Sequence, residues 1–295
     1  NIILIKKMNI EKYINIHFPK KKILKEIKEK DLEYSNWYYE TAKADAIYGY
    51  SCIKKKIFKN MKILEVGGGL HFLASYLSSK GYNITSIEPG GFNNSVNIMR
   101  KNTLKNNKKN NKHIITTDVE NFSKGFAKNK FEFIYSINVL EHVKNIKKHI
   151  LSYLSILNLN EGLILIRCPN YSFPFEGHFY KFFIPFFPKF TFEKVLKKNL
   201  IKKYGKARYL NILNSINFNC SYRKIKQMNF NLVFKNPIED IFNRIEIDKT
   251  FRKRIFSNNI VKYVYKLIKF LHLKKFLILI FPISINPYLI MHISK

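Results

Sequence analysis

Short apolar runs alternate with segments of helical periodicity through the middle of the chain. The first unit spans residues 61–91, MKILEVGGGLHFLASYLSSKGYNITSIEPGG, and reads as a strand, a glycine turn, a helix and a second strand. Strands that alternate with helices in this way favour a parallel sheet covered by helices on both faces. Further apolar runs, at 113–117, 131–137 and 163–168, predict the third, fourth and fifth strands.

Helical patterns precede this unit. Residues 20–33 are rich in Lys and Glu with apolar residues on one side, and residues 42–57 predict a second helix. We expect residues 1–58 to form a helical extension or cap in front of an α/β domain that spans residues 59–295. Two interpretations of these helices are open: they cover a ligand cleft, or they only cap the sheet.

The C-terminal half departs from this alternation in two places. Residues 171–209 begin with a segment dense in aromatic residues and proline, which cannot be a regular helix and which follows the carboxyl end of a strand. We interpret this segment as a substrate lid, with a packed hydrophobic loop as the alternative. A helix over 210–228, a sixth strand over 230–235 and a closing strand over 288–293 are then predicted, with a long insertion, 236–287, before the last strand.

A basic amphipathic helix is predicted inside this insertion, over residues 260–276. Its apolar residues recur at helical spacing, and lysines lie between them. Two interpretations are open: the apolar face packs on the sheet, or it contacts an anionic membrane surface. The apolar residues are Val261, Val264, Tyr265, Ile268 and Leu271, and the lysines are Lys262, Lys266, Lys269, Lys274 and Lys275.

The chain is strongly basic, with a formal net charge of +33. Lysine is spread from end to end together with Asn and Ile, which indicates codon composition rather than a nucleic-acid-binding face, so we expect no nucleic-acid partner. Cys52, Cys168 and Cys220 are too scattered for a disulfide framework or a zinc site. No apolar run reaches the ~18 residues of a membrane span. We therefore expect a cytoplasmic protein, peripheral to the inner face of the membrane if the insertion contacts it.

The glycine turn carries the most information about function. Gly67, Gly68 and Gly69 remove side chains where a strand turns into a helix, so a ligand can approach the backbone N–H groups of the helix N-terminus. Glu88 ends the next strand, where its carboxylate can accept two hydrogen bonds from a ribose diol. A nucleoside-containing cofactor is therefore expected. Phe72 stands where the dinucleotide fingerprint has its last glycine, which disfavours NAD.

The run EVGGG at 65–69 resembles motif I of the class I S-adenosylmethionine (SAM) methyltransferases. His71 stands where that family often has another glycine, and its side chain is expected beside the methionine end of the cofactor. The resemblance implies SAM as cofactor, with Glu65 near the ammonium group of its amino acid. It also implies an α/β fold: a Rossmann-like, doubly wound sheet of seven mostly parallel strands with an antiparallel closing strand.

Later segments extend the resemblance over residues 60–171. Asp118, after the third strand, matches the family acid that accepts a hydrogen bond from the adenine amino group. NVLEHV at 138–143 resembles the segment that lines both cofactor and substrate, and the Pro-Asn ending of the fifth strand is typical of the branch that includes the type 11 and type 23 methyltransferases. The residues implied for cofactor binding are Glu65, Gly67, Gly68, Gly69, Glu88, Asp118, Val119 and Asn138.

Candidate catalytic residues follow the fourth strand and lie in the lid. Methyl transfer from a sulfonium depends mostly on positioning, and a base matters only where the nucleophile must lose a proton. His178 is the first candidate for that base, and His142 is the second. Some quinone-biosynthetic relatives hold a divalent ion with an acid where this chain has Asn138, so no metal is expected. The residues expected to contact the acceptor are Asn170, Phe175, Glu176, His178 and Tyr180.

These features predict, through the resemblance, a SAM-dependent methyltransferase. The first hypothesis for its reaction is O-methylation of a sugar, a glycolipid or another small molecule. The second is methylation of a quinone or lipid precursor, and the third is a non-catalytic SAM-fold protein that binds a membrane or a partner. The expected partners are a small-molecule or lipid-linked acceptor and, through the insertion, an anionic membrane surface.

Overall fold

Seven strands of the described residues form one sheet. In chain order the strands are β1 (Lys62–Val66), β2 (Asn83–Ile87), β3 (Ile114–Ile115), β4 (Phe133–Ile137), β5 (Leu163–Pro169), β6 (Phe175–Glu176), β7 (Lys181–Phe182), β8 (Leu232–Lys235) and β9 (Tyr288–Ser294). The sheet order is β3-β2-β1-β4-β5-β9-β8, and β6 and β7 form a separate hairpin. The computed structural model describes residues 8–90, 93–106, 113–125, 131–158, 160–256 and 259–294.

This topology confirms the predicted doubly wound sheet. All neighbouring strands are parallel except at β9, which is antiparallel to both β5 and β8. Because β1 to β5 run in one direction, their carboxyl ends share one edge of the sheet. β3 is shorter than expected, since only Ile114 and Ile115 pair with β2.

Two hydrophobic clusters cover the two faces of the sheet. Successive residues of a strand point to opposite faces, so Ile63 packs in one cluster and Leu64 in the other. The helices, in chain order, are α1 (Ile10–His17), α2 (Lys20–Ile23), α3 (Glu29–Ile53), α4 (Phe72–Ser79), α5 (Asn94–Asn106), α6 (Val119–Lys124), α7 (Ile146–Ile156), α8 (Lys197–Tyr204), α9 (Lys206–Ser215), α10 (Tyr222–Lys226), α11 (Ile238–Ile247), α12 (Lys249–Ile255), α13 (Asn259–Phe270) and α14 (Lys274–Ile280).

The N-terminal helices differ from the prediction. The expected helix over 20–33 is wrong: α2 ends at Ile23, and α3 starts at Glu29 and continues through the aromatic residues to Ile53. The carbonyls of Ile23 and Lys25 accept hydrogen bonds from Asn102 of α5, at 3.1 and 2.8 Å. These tertiary bonds hold the chain in a loop where its local pattern favours a helix.

The expected single helix over 210–228 is also wrong. α9 ends at Ser215 and α10 begins at Tyr222. Between them the Asn217 amide donates to the Val143 carbonyl over 2.6 Å, and its backbone N–H donates to the Glu141 carbonyl over 2.6 Å. The break therefore fixes the connection between α9 and α10 to the segment that follows β4.

The insertion consists of α11 to α14. The predicted basic helix over 260–276 is divided, because α13 ends at Phe270 and His272 adopts a left-handed conformation (φ 54°) before α14 begins. None of the helices described here combines the length and the apolar character needed to cross a membrane.

Candidate functional site

A cleft of about 2080 Å³ opens at the carboxyl ends of β1, β2 and β4. Typical small-molecule pockets measure ~300–1,000 Å³, so the cleft has room for a cofactor and a second molecule. Glu65 near the end of β1 and Glu88, Asp118 and Asn138 in the segments after β2, β3 and β4 all line it. The topology therefore brings together the residues that the sequence predicts for one edge of the sheet.

The N-terminal extension covers this cleft as well as the sheet. Tyr34, Trp37 and Asp45 of α3 line the cleft. The Arg208 guanidinium of α9 lies 4.9 Å from the Trp37 ring and 5.7 Å from the Tyr34 ring. The N-terminal extension and the lid thus meet across the opening.

The glycine turn is shaped by contacts from distant residues. Gly67 has φ 81°, and a Cβ there would lie 2.1 Å from Val139 Cγ2. A Cβ on Gly68 would lie 2.3 Å from Ser86 Oγ. A larger residue at either position would displace its neighbours. Glycine is therefore required at both positions if the backbone of the turn is to stay close to a ligand.

Glu65 lies at the centre of a buried hydrogen-bond network. Tyr135 Oη donates to Glu65 Oε1 over 2.8 Å, and Ser86 Oγ donates to Oε2. Burial raises the Glu65 pKa to about 7, against the opposing effect of these two donors. Both carboxyl oxygens therefore already have protein partners.

His71 points away from the place expected for it. It has φ 58° at the helix start, and its buried Nδ1 lies 2.9 Å from Ser86 Oγ. Burial lowers the His71 pKa to about 3, so the ring is neutral. Its side chain supports the Glu65 network from behind the turn and is not among the residues that line the cleft.

Glu88 is held by two groups beside the turn. Its Oε2 accepts the Gly69 N–H over 3.0 Å, and its Oε1 lies 3.3 Å from Arg100 Nη2. Arg100 also donates from Nε to the Gly69 carbonyl over 3.1 Å. Burial raises the Glu88 pKa, while Arg100 and the Gly69 N–H lower it. Arg100 was not predicted as a site residue, although an Arg in a chain dominated by Lys indicates a need for the guanidinium fork.

Asp118 begins α6 and lines the adjoining part of the cleft. Its Oδ1 accepts the Asn121 N–H over 2.7 Å, and its Oδ2 accepts from the Asn121 amide over 2.8 Å. It is therefore an N-cap as well as a cleft residue. Val119 also lines the cleft at this end.

A polar cluster forms the other end of the cleft. Asn138, with φ 56°, donates to Asp45 Oδ1 over 3.3 Å and accepts from Arg167 Nη1 over 3.4 Å. Arg244 of the insertion lies 3.2 Å from the same Asp45 oxygen. Its guanidinium also stacks on the Tyr48 ring at 4.6 Å. The insertion thus supplies one wall of the site, which no local pattern of the sequence indicates.

His178 is paired with an acid in the lid. Its Nδ1 lies 2.6 Å from Glu176 Oε1, while Glu176 Oε2 accepts the Phe179 N–H over 2.7 Å. Burial lowers the His178 pKa, but the Glu176 carboxylate outweighs this effect and raises the pKa to about 9. His178 is therefore an imidazolium at neutral pH, whereas the predicted role as a base requires the neutral ring.

His142 is neutral and oriented by the backbone. Its Nδ1 donates to the Ser215 carbonyl over 3.0 Å, and its ring lies 5.1 Å from that of His178. Burial lowers the His142 pKa to about 4, and His178 contributes in the same direction.

Glu141, between these groups in the cleft, was not among the predicted site residues. It is buried, and its Oε2 has no hydrogen-bond partner within the described part of the chain. Burial raises the Glu141 pKa to about 7, although its own backbone and His178 act in the opposite direction. An unpartnered carboxyl group with this pKa can take up a proton from a ligand near neutral pH.

The remaining predicted acceptor residues divide into two groups. Phe175 and Tyr180 line the cleft together with His178. Glu176 is buried behind His178. Asn170 lies outside the cleft lining: its amide donates to the Ser284 and Asn286 carbonyls, and its Oδ1 accepts two backbone N–H groups. Across the residues described, no group of three or more His, Cys, Asp or Glu could hold a metal ion.

One family model matches the middle of the chain. A family model described as "Methyltransferase domain" matches residues 40–212, more than half of the chain. An uncharacterized protein of Mycobacterium tuberculosis is 30% identical over 122 residues, which are 40% of this chain and 39% of the relative. The match thus spans well under half of that relative's length.

Two solved structures illustrate the resemblance in fold. Phosphoethanolamine N-methyltransferase 2 of Haemonchus contortus, in complex with phosphomonomethylethanolamine and S-adenosylhomocysteine, is 13% identical with a TM-score of 0.48, covering 98% of this chain and 61% of that one. A SAM-dependent methyltransferase from Archaeoglobus fulgidus is 10% identical with a TM-score of 0.46, covering 89% of this chain and 100% of that one.

Proposed function

This chain belongs to the class I SAM-dependent methyltransferases, and we propose that it methylates a hydroxyl group of a sugar or glycolipid acceptor. The polar cluster at one end of the cleft carries this proposal. Asp45, Asn138 and Arg244 present carboxylate, amide and guanidinium groups together, which suits an acceptor with several hydroxyl groups.

The residues at the other end fit the cofactor. A Cβ built on Gly69 would lie 3.8 Å from its nearest neighbour, Tyr38 Oη. Because the Gly69 N–H donates to Glu88, this open space lies beside the Glu88 carboxylate. We assign the turn at 67–69 to the methionine part of SAM, Glu88 to the ribose and Asp118 to the adenine. Val119 completes this set, and Glu65 supports the turn from below; Asn138, which the sequence also predicted for the cofactor, belongs to the polar cluster. When bound, SAM supplies a methyl group on a positively charged sulfur, and this methyl group is activated because a neutral thioether is a good leaving group.

Glu141 is our candidate for the base. The role of Glu141 would be to accept, at Oε2, the proton that the acceptor hydroxyl group loses when it takes up the methyl group supplied by bound SAM. The nearby His178 imidazolium stabilises the carboxylate form of Glu141, because it lowers the Glu141 pKa. His178 thus acts as a fixed positive charge rather than as the base predicted first, and His142 as a neutral neighbour.

A quinone or lipid precursor is the second candidate acceptor. Phe173, Phe175 and Phe182 line the cleft, and their rings suit an apolar acceptor portion. A glycolipid satisfies both the polar cluster and these rings.

Isotope-labelled SAM tests the proposal. The full chain is incubated with SAM that carries a labelled methyl group and with separate polar and lipid extracts, and labelled products are identified by mass spectrometry. We expect label on a glycan or glycolipid. Label in quinones would support the second candidate, and SAM binding without a labelled product in any extract would contradict an active methyltransferase.

A further inference from the structure

The tip of the lid exposes a dense set of aromatic side chains. The hairpin β6–β7 leads into a loop in which Phe186 is 88% exposed. A protein surface rarely carries so many contiguous large apolar groups without a partner. The exposed residues of this lid tip are Phe182, Ile184, Phe186, Phe187 and Phe190.

The insertion exposes a second apolar surface. Tyr265 of α13 packs inward, with its ring 5.3 Å from Phe242 and 5.2 Å from Phe256. The opposite side of α13 and much of α14 remain uncovered. Its exposed residues are Val264, Leu267, Phe270, Leu271, Phe276, Leu279 and Ile280. The predicted apolar face of this helix is therefore divided: Tyr265 and Ile268 are half-buried, whereas Val261, Val264 and Leu271 are exposed.

The lid tip and the start of α13 both reach the cleft. Phe182 of the lid tip lines the cleft and is 66% exposed. Val261, in the first turn of α13, also lines the cleft and is exposed. The cleft is therefore close to the elements that carry both apolar surfaces.

The charge around these surfaces identifies their partner. Residues 177–192 and 259–285 contain no Asp or Glu, and lysines flank the apolar side chains in both. Lys269 and Lys274 form ion pairs with α11, to Glu246 at 3.1 Å and to Glu239 at 3.8 Å. Apolar side chains flanked by lysines suit a bilayer that contains anionic lipid. The further lysines exposed on the same segments are Lys181, Lys189, Lys266 and Lys275.

We propose that the lid tip and α13–α14 dock the protein on an anionic phospholipid bilayer, with the mouth of the cleft facing the lipid. The apolar part of a lipid-linked acceptor would then enter the cleft directly from the membrane. Only the delivery of this acceptor rests on the proposed function. Binding to vesicles requires neither the cofactor nor turnover, so it can be tested separately.

Vesicle sedimentation tests the docking surface. The full chain is mixed with vesicles of phosphatidylcholine alone and with vesicles of equal parts phosphatidylcholine and phosphatidylglycerol, at low and high salt. We expect binding to the mixed vesicles alone, reduced by salt but retained in part, because apolar burial is less sensitive to salt than attraction between charges. Wild-type protein that stays in the supernatant with both vesicles would overturn the proposal.

Paired substitutions locate the contact. Phe186→Ser with Phe187→Ser, and separately Phe270→Ser with Leu279→Ser, should each lower the partition coefficient ~10-fold or more, as expected when two apolar side chains lose burial. Phe58→Ser is the matched control, because Phe58 is 65% exposed but precedes β1, at the sheet edge opposite the cleft. An equal loss with all three variants, or no loss with the first two, would overturn the proposed surface.

Insertion into lipid can be read separately from binding. Phe186→Trp should show blue-shifted emission on mixed vesicles and quenching by brominated lipid, while Phe58→Trp should show neither effect beyond the wild-type signal from Trp37. Gel filtration of the free protein is run in parallel. Concentration-dependent dimers that Phe186→Ser with Phe187→Ser abolishes, combined with no quenching of the Phe186→Trp protein by brominated lipid, would assign the surface to a second copy and overturn docking.

Discussion

Arg167 of β5 is joined to Asp240 of the insertion by a hydrogen bond of 2.8 Å from Nε to Oδ2. Arg167 is 2% exposed and lies between the rings of Tyr48 and Tyr288, at 4.5 and 4.1 Å. Tyr48 also donates to Asp240. This contact fixes α11, and with it Arg244, against the end of the sheet.

Replacement of Asp240 should therefore destabilise the fold. Asp240→Ala leaves Arg167 as a buried charge without its acid, and the loss of one partner of such a pair typically costs ~3–5 kcal/mol. Urea unfolding measures this free energy. The control is Glu246→Ala, which removes the exposed pair with Lys269 and should leave the free energy of unfolding nearly unchanged, because water screens the two charges. Equal effects of the two variants would contradict a structural role for the buried pair.

Glu88 should determine cofactor affinity. Glu88→Gln removes the carboxylate that we assign to the ribose diol, at a cost of roughly 1.5–3 kcal/mol in SAM binding for hydrogen bonds to a charged group. Titration calorimetry with SAM reads the change. Glu40→Gln, at an exposed acid paired with Lys20, should leave SAM affinity unchanged. Unaltered affinity in Glu88→Gln would refute the ribose assignment.

Gly68 should resist enlargement more than a glycine in open surroundings. Gly68→Ala places a methyl group against Ser86, His71 and Glu65, and such overpacking costs ~1–3 kcal/mol. We expect lower thermal stability together with weaker SAM binding. Gly125→Ala is the control, because its nearest neighbour would lie at 3.8 Å. A Gly68→Ala protein with normal stability would show that the turn has more room than the distances indicate.

The Glu141 carboxyl group should define the acidic limb of the pH profile of kcat/KM. With a pKa of about 7, it is protonated and inactive as a base at lower pH, so kcat/KM should rise through neutral pH and Glu141→Gln should lose most activity.

The raised pKa of Glu141 also makes its ionised form unfavourable in the folded protein, by roughly 3 kcal/mol. Glu141→Gln should therefore stabilise the fold above the folded pKa, and not below the unfolded pKa near 4.5. A stability gain that is equal at both pH values would contradict the ionisation.

The pair of Glu176 and His178 should define the alkaline limb. The raised His178 pKa means that its stabilising charge is fully present below pH 6.5 and is lost as pH rises through about 9. Activity should fall over the same upper range. Glu176→Gln removes the carboxylate that raises the pKa, so the alkaline limb should move to lower pH while SAM affinity stays near the wild-type value. An unmoved limb would assign it to another group.

The fold and the position of Glu88 and Asp118 beside the cleft were accessible from the sequence because their determinants are local. An apolar run followed by glycines fixes where β1 turns into α4, and alternation along a strand fixes which residues reach each core. Glu88 and Asp118 were found because parallel strands deliver their ends to one edge, whatever the side chains between them. The same reasoning failed where residues distant in sequence supply the hydrogen bonds, as Asn102 does for the loop after Ile23.

Which polar groups meet at the other end of the cleft was decided by the tertiary structure. The guanidinium of Arg244 meets Asp45 across 199 positions of the sequence, and no periodicity links two residues so far apart. The protonation states of His178 and Glu141 also depend on the tertiary structure. Burial and neighbouring charges, rather than residue type, set the pKa of His178 at about 9 and that of Glu141 at about 7. The sequence by itself determined which residues are available and where the strands end. The packing of the lid, α3 and the insertion around the strand ends determined which of the available residues line the cleft and which of them are charged.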